Sequence, residues 1–450
     1  MSGGWLALAL PLAGQTAAAQ DTVPPVEQGV RIGITYTPGV RPGLLVLRAE
    51  AGALVDSVQV ILQRDLDYSD HFEIIVLPGG ERLYATLHAP TDSGGGNGTP
   101  ARFVNYPLYA TLGADFAVDV EQTGDGTIAV SLYDVRGESV RRRLTIAGDD
   151  PAARAFRMSV HRAADEIVRA VTAEPGFAAS SLVFVSDRRA YRVDTDGAGL
   201  TVVSQPADTA FSVDWDPSGR RVVYTALYER GGRVVLHDFV DGGYRVLQPT
   251  LTALNYTPTF SPDGELVVFA RSDAEGTDLY RYNVRRDCCL QRLTVGRFSD
   301  NLSPTFSPDG RQIAFVSTRA GLPQIYVMAA DGTGQELFAP FDYGETGASY
   351  APEWSPEGTR LVFHRDVAGS PQVFIMETRS RVVKQLTSAG RNEDPTWAPD
   401  GRHIAFVSSR TGTRQLWVID VETGRIRQLT RIGNTRLPSW SPRLTDEFER

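Results

Sequence analysis

The second half of the chain repeats one pattern of apolar and polar positions. Each copy reads proline, a variable residue, an aromatic residue, Ser or Ala, Pro, an acidic residue and Gly, and a run rich in β-branched and aromatic residues follows. The aromatic positions of the copies, including a weaker first copy and a truncated last one, are Trp215, Phe260, Phe306, Trp354, Trp397 and Trp440. Their spacings are 45, 46, 48, 43 and 43 residues, which is the length of one propeller blade.

Each copy predicts four short strands. The Pro-Asp-Gly triplet predicts a tight turn, because proline fixes φ and glycine accepts the positive φ that a chain reversal needs. Apolar runs such as Ile313–Ser317 and Gln324–Met328 then predict the second and third strands. A fourth strand ends in Gln-Leu-Thr, as at Gln385–Thr387. Four antiparallel strands per copy form a propeller blade.

The number of blades follows from joining the two ends of the repeat array. Five copies are complete, and the sixth stops after its first strand, at Pro442. Ser181–Ser186, Ala190–Asp194 and Leu200–Ser204 supply the strands of a blade that lacks its first strand. The sequence therefore predicts an all-β six-bladed propeller over residues 177–450. The C-terminal strand closes it, so that no edge stays open between the first and last blade.

The residues before the repeats show a different period. Apolar residues at helical spacing in Ala51–Asp67 predict one helix, and Asp149-Asp150-Pro151 starts a second whose apolar face runs to Val171. Strand-like runs lie between these helices, with Thr91–Pro100 as a surface loop. We predict an N-terminal α/β domain over residues 20–176.

The first residues are typical of an export signal. Trp5–Leu12 is a short apolar run, and Ala17–Ala19 offers small residues for cleavage. The run is shorter than the roughly 20 apolar residues that span a bilayer. We therefore predict a signal peptide over residues 1–19, a mature chain that starts at Gln20, and a periplasmic location.

Composition narrows the possible functions. A chain of 450 residues predicts more than one domain. Its net charge of -9 argues against nucleic-acid binding, which needs a basic face. The two cysteines, Cys288 and Cys289, are neighbours. Adjacent Cα atoms are closer than the usual disulfide range, so we expect two turn cysteines without a bond or a role.

The sequence contains no convincing catalytic constellation. G-x-S-x-G, H-E-x-x-H and P-loop motifs are absent, and the histidines are scattered along the chain, at His71, His88, His161, His237, His364 and His403. A metal-dependent enzyme needs at least three converging ligands. We predict a protein that is not an enzyme and that has no cofactor and no metal. A propeller enzyme of the envelope, or a propeller that senses carbohydrate or peptide, stays open as the alternative.

The repeats together with the α/β domain resemble the TolB family, the periplasmic components of Tol-Pal systems. Gly29–Pro42, Val55–Ile75 and Arg436–Arg443 are similar to segments of that family. Arg48-Ala49 departs from the apolar Pro-Phe usual there, and the glycine loop at 94–98 looks inserted.

The resemblance implies a role in binding other proteins. The chain would link a peptidoglycan-associated lipoprotein to inner-membrane Tol proteins, and so serve outer-membrane integrity and cell division. It would reach the membrane only through these partners. A TolB-like protein that works in another envelope complex is a further possibility.

The residues just before each repeat signature are the predicted site for the lipoprotein. Because the signature starts each inner strand, these residues should gather around one mouth of the channel. They vary between blades, as a recognition surface on a repeated scaffold requires, and they are Asn255, Tyr256, Asp300, Asn301, Tyr350, Asn392, Glu393, Asp394 and Arg436. Acidic residues outnumber Arg436, so an acidic rim and basic partner groups are expected. Ordinary solvated loop polarity is the alternative.

A second predicted site is an N-terminal docking segment. The large apolar residues alternate with others along the segment, as an extended strand requires, and the residues concerned are Val30, Arg31, Ile32, Ile34 and Tyr36. Such a segment can pair with the sheet edge of a TolA-like partner. It can equally be the first strand of its own domain.

Overall fold

The computed structural model describes residues 41–47, 52–76, 85–86, 102–124, 126–148, 150–229, 231–247, 253–339 and 347–445. These residues group into one compact unit. The predicted signal peptide and the five predicted docking residues between Val30 and Tyr36 lie outside the described residues. None of the helices in the described ranges combines the length and apolar character that a membrane span needs.

An N-terminal domain combines helices with a five-stranded sheet. Its elements in chain order are β1 Gly43–Val46, α1 Ala53–Tyr68, β2 Glu73–Ile75, β3 Ala85–Thr86, β4 Arg102–Phe103, α2 Tyr106–Thr111, β5 Phe116–Gln122, β6 Ile128–Asp134, β7 Ser139–Ile146 and α3 Arg154–Thr172. The sheet order is β2-β1-β5-β6-β7, with β1 parallel to both of its neighbours. The remaining pairs, β5 with β6 and β6 with β7, are antiparallel.

The two long helices form because their apolar residues recur at helical spacing. On α1, Val55, Val58, Leu62 and Leu66 are buried, and they share one core with the apolar face of α3 and the sheet. The short helix α2 was not predicted. Its local signals are Asn105, whose side-chain oxygen accepts the amide of Leu108 at 3.2 Å and so caps the helix, and Pro107 in the first turn.

The rest of the chain forms antiparallel sheets. The strands are β8 Ser181–Ser186, β9 Arg189–Asp194, β10 Thr201–Val202, β11 Thr209–Trp215, β12 Arg221–Tyr228, β13 Gly231–Asp238, β14 Tyr244–Leu247, β15 Leu254–Phe260, β16 Leu266–Asp273, β17 Gly276–Asn283, β18 Cys288–Arg292, β19 Asn301–Phe306, β20 Gln312–Ser317, β21 Gln324–Ala329, β22 Glu336–Leu337, β23 Ser349–Trp354, β24 Arg360–Val367, β25 Ser370–Glu377, β26 Val383–Gln385, β27 Asn392–Trp397, β28 His403–Ser408, β29 Gln415–Asp420, β30 Ile426–Gln428 and β31 Arg436–Trp440.

These strands make a propeller arrangement of sheets. Three four-stranded sheets are β19–β22, β23–β26 and β27–β30, and a larger sheet joins β11–β14 to β15–β18 through one parallel bridge between Gly232 and Leu254. The last strand, β31, pairs with β8 in the order β10-β9-β8-β31.

The repeated aromatic residues fill the space between neighbouring sheets. All six aromatic positions of the repeat signature are buried. Trp440, for example, contacts Leu182 of its own sheet and belongs to one core cluster with Val407 of the adjacent sheet. The signature is therefore a packing device that holds each sheet against the next, as hydrophobic burial requires.

Five inner strands carry the same irregularity. In β15, β19, β23, β27 and β31 the register shifts, and the residue before the signature proline has positive φ. The residues concerned are Thr257, Ser303, Ala351, Asp394 and Leu437, with φ between 47° and 52°. Such a bulge turns a side chain out of the regular alternation. The bulge recurs here at the equivalent position of all five strands.

The N-terminal domain contacts the propeller through buried charges. Arg64 and Arg157 of the two long helices both donate to Asp196, and the buried His161 lies 2.6 Å from Asp65. Arg402 of a Pro-Asp-Gly turn also donates to the carbonyl oxygen of Asp70 at 3.4 Å. These contacts lie at the end of the propeller where the inner strands finish.

The cysteines differ from the prediction. Cys288 and Cys289 form a disulfide at the start of β18. The expectation of two unbonded cysteines rested on the short distance between adjacent Cα atoms, which is 3.8 Å here. The backbone is unusual at this point, since Asp287 and Cys289 have φ of 54° and 69°. This tight backbone accommodates the bonded pair.

Candidate functional site

The inner strands β11, β15, β19, β23, β27 and β31 line one central cavity of about 300 Å³. The bulged residues Thr257, Ser303, Ala351, Asp394 and Leu437 all lie on its wall. Because the inner strands run side by side around the cavity, their first residues gather at one end. We call this end the mouth, and the opposite end, with the Pro-Asp-Gly turns, the turn end.

Side chains at the variable position of the signature link four pairs of adjacent inner strands. The backbone amide of Trp397 donates to Glu353 Oε1 at 2.9 Å, and the Thr396 hydroxyl donates to the same oxygen at 3.1 Å. Thr396 Oγ1 in turn accepts the amide of Trp440 at 3.1 Å. The aromatic residue of one strand is thus anchored by the strand before it.

The same link crosses between the two ends of the repeat array. Ser439 Oγ accepts the amide of Trp215 at 3.3 Å and donates to Asp214 Oδ1 at 2.7 Å. Asp214 Oδ2 accepts the amide of Phe260 at 3.2 Å. We call these bonds and those at Glu353 and Thr396, which join four pairs of adjacent inner strands at the cavity wall, the channel belt.

The acidic members of the belt have raised pKa values. Burial raises the pKa of Glu353 to about 8, against the opposing effect of its two hydrogen bonds and with help from the charge of Asp214. Glu353 keeps some surface towards the cavity, but protein surrounds its carboxyl group. Burial also raises the pKa of Asp214 and of Asp394. Near neutral pH, a protonated Glu353 is therefore a hydrogen-bonding member of the scaffold rather than a free anion.

The structure assigns three of the predicted contact residues to the scaffold. Asn255, Asn301 and Asn392 are buried. Asn255 and Asn301 donate to the carbonyl oxygens of Gly232 and Thr277 on the third strand of the preceding sheet, at 2.8 and 3.0 Å. Asn392 donates to the side chain of Gln372 on the third strand of its own preceding sheet, at 2.8 Å. The three asparagines therefore tie neighbouring inner strands and sheets together, and their buried side chains offer no exposed surface at the mouth.

The two predicted tyrosines lie half-buried near the mouth. Tyr256 donates its hydroxyl to Thr277 Oγ1 at 3.2 Å. Tyr350 stacks on His364 with ring centroids 5.3 Å apart. His364 Nδ1 accepts the amide of Asp394 at 3.1 Å, and burial lowers the pKa of this histidine to about 4, so the ring is neutral. Both tyrosines are thus held in fixed positions.

The predicted acidic rim is only partly present. Asp300 is exposed, as expected. Asp394 is half-buried and accepts the amide of Leu437 at 3.1 Å. Glu393 pairs with Arg414 at 2.8 Å. Arg436 shares a surface pocket with Arg414 and Arg188, two residues that the sequence analysis did not select. Acidic and basic groups therefore alternate around the mouth.

One group of side chains has the spacing of metal ligands. Asp70, His403 and Asp420 bring ligand atoms within 4.8 Å of one another. Arg425 donates to Asp70 at 2.9 Å and Arg402 donates to Asp420 at 2.6 Å. Guanidinium groups already neutralise both carboxylates, so this arrangement suits a contact between the two parts of the chain better than a cation.

The channel belt was not predicted from the sequence. Asp214, Glu353, Thr396 and Ser439 all occupy the variable position directly before the aromatic residue of the signature. In a strand, neighbours point to opposite faces. Since the aromatic residue packs between sheets, the residue before it must face the cavity. This alternation could have identified the belt.

The raised pKa of Glu353 gives a testable dependence of stability on pH. A carboxyl group whose folded-state pKa is raised stabilises the fold below its unfolded pKa, and this contribution is lost as pH rises through the folded pKa. The window here runs from about 4.5 to about 8. Glu353→Gln keeps the acceptor oxygen and cannot ionise. Between pH 6 and 8, its free energy of unfolding should gain roughly 2 kcal/mol relative to wild type, since one pH unit in this window is worth about 1.4 kcal/mol.

Urea denaturation at both pH values measures this difference. Glu275→Gln, at an exposed position, is the matched control and should follow the wild-type profile. Parallel pH profiles for wild type and Glu353→Gln would show that Glu353 is ionised in the fold at pH 6.

The chain is similar to known propeller proteins. A family model described as the TolB beta propeller domain matches residues 168–342 and 343–446, which is more than half of the chain. The Tol-Pal system protein TolB of Anaeromyxobacter dehalogenans (strain 2CP-C) is 33% identical over 288 residues, 60% of each chain. The protein of the same name from Methylococcus capsulatus (strain ATCC 33009 / NCIMB 11132 / Bath) is 30% identical over 253 residues, 54% of each chain. The matches thus span about 60% of the length of these curated relatives or less.

A solved structure extends the likeness to the N-terminal domain. The crystal structure of TolB from Acinetobacter baumannii matches with a TM-score of 0.72 and 21% identity, over 90% of this chain and 98% of that one. At this identity the match shows the fold. Together with the family model and the signature that packs sheet against sheet, it shows that the chain belongs to the TolB β-propeller family.

Proposed function

We propose that this chain is the periplasmic protein-binding component of a Tol-Pal envelope system. In this role it links a peptidoglycan-associated lipoprotein to inner-membrane Tol proteins, and so serves outer-membrane integrity and cell division. The family membership and the relatives named as Tol-Pal system proteins support the proposal. The predicted signal peptide over residues 1–19 supports the periplasmic location.

The propeller part of the proposal is a closed ring of six blades over residues 177–450, preceded by an α/β domain over residues 20–176. Three observations support closure. The last strand, β31, pairs with β8, which lies at the start of the repeat array. Six inner strands line the same cavity. Ser439 of the last inner strand accepts the amide of Trp215 on β11.

We place lipoprotein binding at the mouth of the channel. The observation that carries this proposal is the row of bulges with positive φ, which recurs in five inner strands and turns side chains into the cavity wall near the mouth. Non-glycine residues rarely adopt this conformation, and a scaffold keeps it where a side chain must point in a special direction. The exposed Asp300 and the fixed ring of Tyr350 lie at the same end.

An exposed aromatic residue adds a contact point at this end. Phe298 is 92% exposed, in the segment that connects β18 to β19. Its backbone has φ of 59°, and its amide donates to the carbonyl oxygen of Glu275 at 2.9 Å, which fixes the loop. Buried aromatic anchors contribute strongly to protein interfaces. A partner that covers the mouth would bury Phe298.

A binding role explains the cavity better than catalysis does. Four acidic groups line its wall, and all four have partners. Asp214 and Glu353 accept the hydrogen bonds of the channel belt. Asp216 pairs with Arg221, and Asp394 accepts the amide of Leu437. Catalytic carboxyl groups need access to a substrate proton. The N-terminal segment, with Val30 to Tyr36, would carry the second partner, a TolA-like protein, by adding a strand to its sheet.

Deleting the closing strand tests the ring. A chain that lacks residues 437–450 loses the partner of β8 and the side chain of Trp440, whose indole donates to Ser180 Oγ at 2.8 Å. The free energy of unfolding should fall by several kcal/mol, because a large buried side chain and backbone hydrogen bonds are removed together. Thermal unfolding followed by circular dichroism measures the loss.

A shorter truncation is the matched control for this deletion. Removing only residues 446–450 keeps β31 whole and should leave the melting temperature unchanged. If both truncated chains have the melting temperature of the wild type, the propeller does not depend on closure by its last strand.

Substitutions at the mouth test lipoprotein binding. Phe298→Ala and Tyr350→Ala should each weaken the affinity for the peptidoglycan-associated lipoprotein about tenfold or more, because each removes an aromatic anchor worth roughly 1–3 kcal/mol. Isothermal titration calorimetry with the purified lipoprotein provides the affinities.

An apolar residue at the other end is the matched control. Val240, 50% exposed, lies in the loop between β13 and β14 at the turn end, and Val240→Ala should bind the lipoprotein like wild type. If Val240→Ala weakens lipoprotein binding and Phe298→Ala does not, the binding surface lies at the turn end. If all three variants bind the lipoprotein with wild-type affinity, the mouth is not the binding site.

A further inference from the structure

Three arginines from different parts of the chain meet in one surface pocket at the mouth. The pocket has a volume of about 330 Å³ and is lined by Asp187, Arg188, Arg414, Asn434 and Arg436. Arg188 comes from the turn between β8 and β9, Arg414 from the loop between β28 and β29, and Arg436 from the first position of β31. We call it the arginine pocket.

The backbone at the pocket has an unusual conformation. Asp187 and Arg188 form the tight turn between β8 and β9, with φ of 43° and 65°. Asn-Gly or another glycine-containing pair is preferred in a two-residue turn of this kind, because glycine accepts positive φ without cost. An aspartate and an arginine adopt it here. Asp187 also accepts a hydrogen bond from Asn434 at 3.1 Å, which ties the turn to the segment before β31.

Two of the guanidinium groups are held in place. Arg414 pairs with Glu393 at 2.8 Å. The guanidinium of Arg436 lies over the ring of Phe211, 5.4 Å from its centroid, which is a cation–π geometry. In the part of the chain that the structure describes, no ion pair joins Arg188 or Arg436 to a carboxylate. Arg188 and Arg436 therefore lie outside direct ion pairs, while the charges of Arg414 and Arg436 act on the nearby Asp394 and oppose the rise that burial causes in its pKa.

The charge of the pocket contrasts with that of the chain. Its lining has three arginines against one aspartate, whereas the whole chain carries a net charge of -9. Guanidinium groups bind carboxylates through paired hydrogen bonds, so several arginines that meet in a pocket are suited to that anion. The size of the pocket fits a short peptide segment better than a single ion.

We propose that the arginine pocket binds a carboxylate presented by a peptide segment of the partner at the mouth. The carboxylate can come from acidic side chains or from a free C-terminus, since both offer the same two oxygens. The proposal rests on the proposed function only for the identity of that partner. The arginine pocket would thus bind acidic groups of the partner, at a surface that the sequence predicted to attract basic groups.

Fluorescence anisotropy with defined peptides tests the pocket directly. The first probe is a dye-labelled Gly-Glu repeat peptide with a blocked C-terminus, and the second is a Gly-Gln repeat peptide with a free C-terminal carboxylate. A Gly-Gln repeat peptide with a blocked C-terminus serves as the neutral comparison. We expect wild-type protein to bind at least one carboxylate probe at least tenfold more tightly than the neutral peptide, and the stronger probe identifies the source of the carboxylate.

A double variant links this binding to the pocket. Arg188→Gln/Arg436→Gln should weaken the stronger probe at least tenfold. The matched control, Arg297→Gln/Arg311→Gln, removes the same charge from two exposed arginines that do not line the pocket, and should weaken it less than twofold. Circular dichroism establishes that both variants are folded.

Three results would overturn the proposal: equal affinity of wild type for the carboxylate and neutral peptides, equal loss in both double variants, or no loss in the pocket variant. Calorimetry with the lipoprotein tests the proposed function independently of the peptide experiment. If wild type does not bind the lipoprotein but binds a carboxylate peptide through Arg188 and Arg436, the pocket stands and the proposed partner falls.

Discussion

The hydrogen bonds of the channel belt are the interaction on which the rest of the propeller depends. Each belt side chain accepts the amide of the aromatic residue on the next inner strand, as Glu353 does for Trp397 and Thr396 for Trp440. The aromatic side chain packs between sheets while its amide is fixed at the cavity. The aromatic residue thus sets the distance between sheets through its side chain, and it sets the position of its inner strand through its amide. Buried donors and acceptors need such partners, because an unpaired one costs about 1–3 kcal/mol.

The belt also explains why the mouth can vary. The signature supplies the packing and the belt hydrogen bonds, so among the residues before it only the buried asparagines are needed for the scaffold, and their exposed neighbours differ between the repeats. The bulges then turn Thr257, Asp394 and their equivalents into the cavity wall. The buried asparagines, such as Asn301, tie three of the inner strands to the strands before them. The mouth thus carries exposed and half-buried groups of both charges, such as Asp300 and Arg436, on strands that the scaffold holds in place.

The repeat pattern was enough to predict the propeller strands, because period, turn triplet and aromatic position all depend on local sequence. It also predicted the pairing of the last strand with Ser181–Ser186. The arginine pocket could not be predicted, because Arg188 and Arg414 lie in loops that only the folded chain brings together. The burial of Asn255 and Asn392 was missed for a similar reason: a polar residue before a strand looks like a loop residue until its partner on the preceding sheet is known.

Amide hydrogen exchange, with and without the peptidoglycan-associated lipoprotein, tests the central claim most directly. In the free protein, the amides of Trp215, Trp397 and Trp440 should exchange slowly, because the belt holds them. On binding, protection should increase in the segments that precede the inner strands, including 298–303 and 347–351, and not in the Pro-Asp-Gly turns. Protection confined to those turns, or no change at the mouth while the lipoprotein is bound, would contradict a binding site at the mouth of the channel.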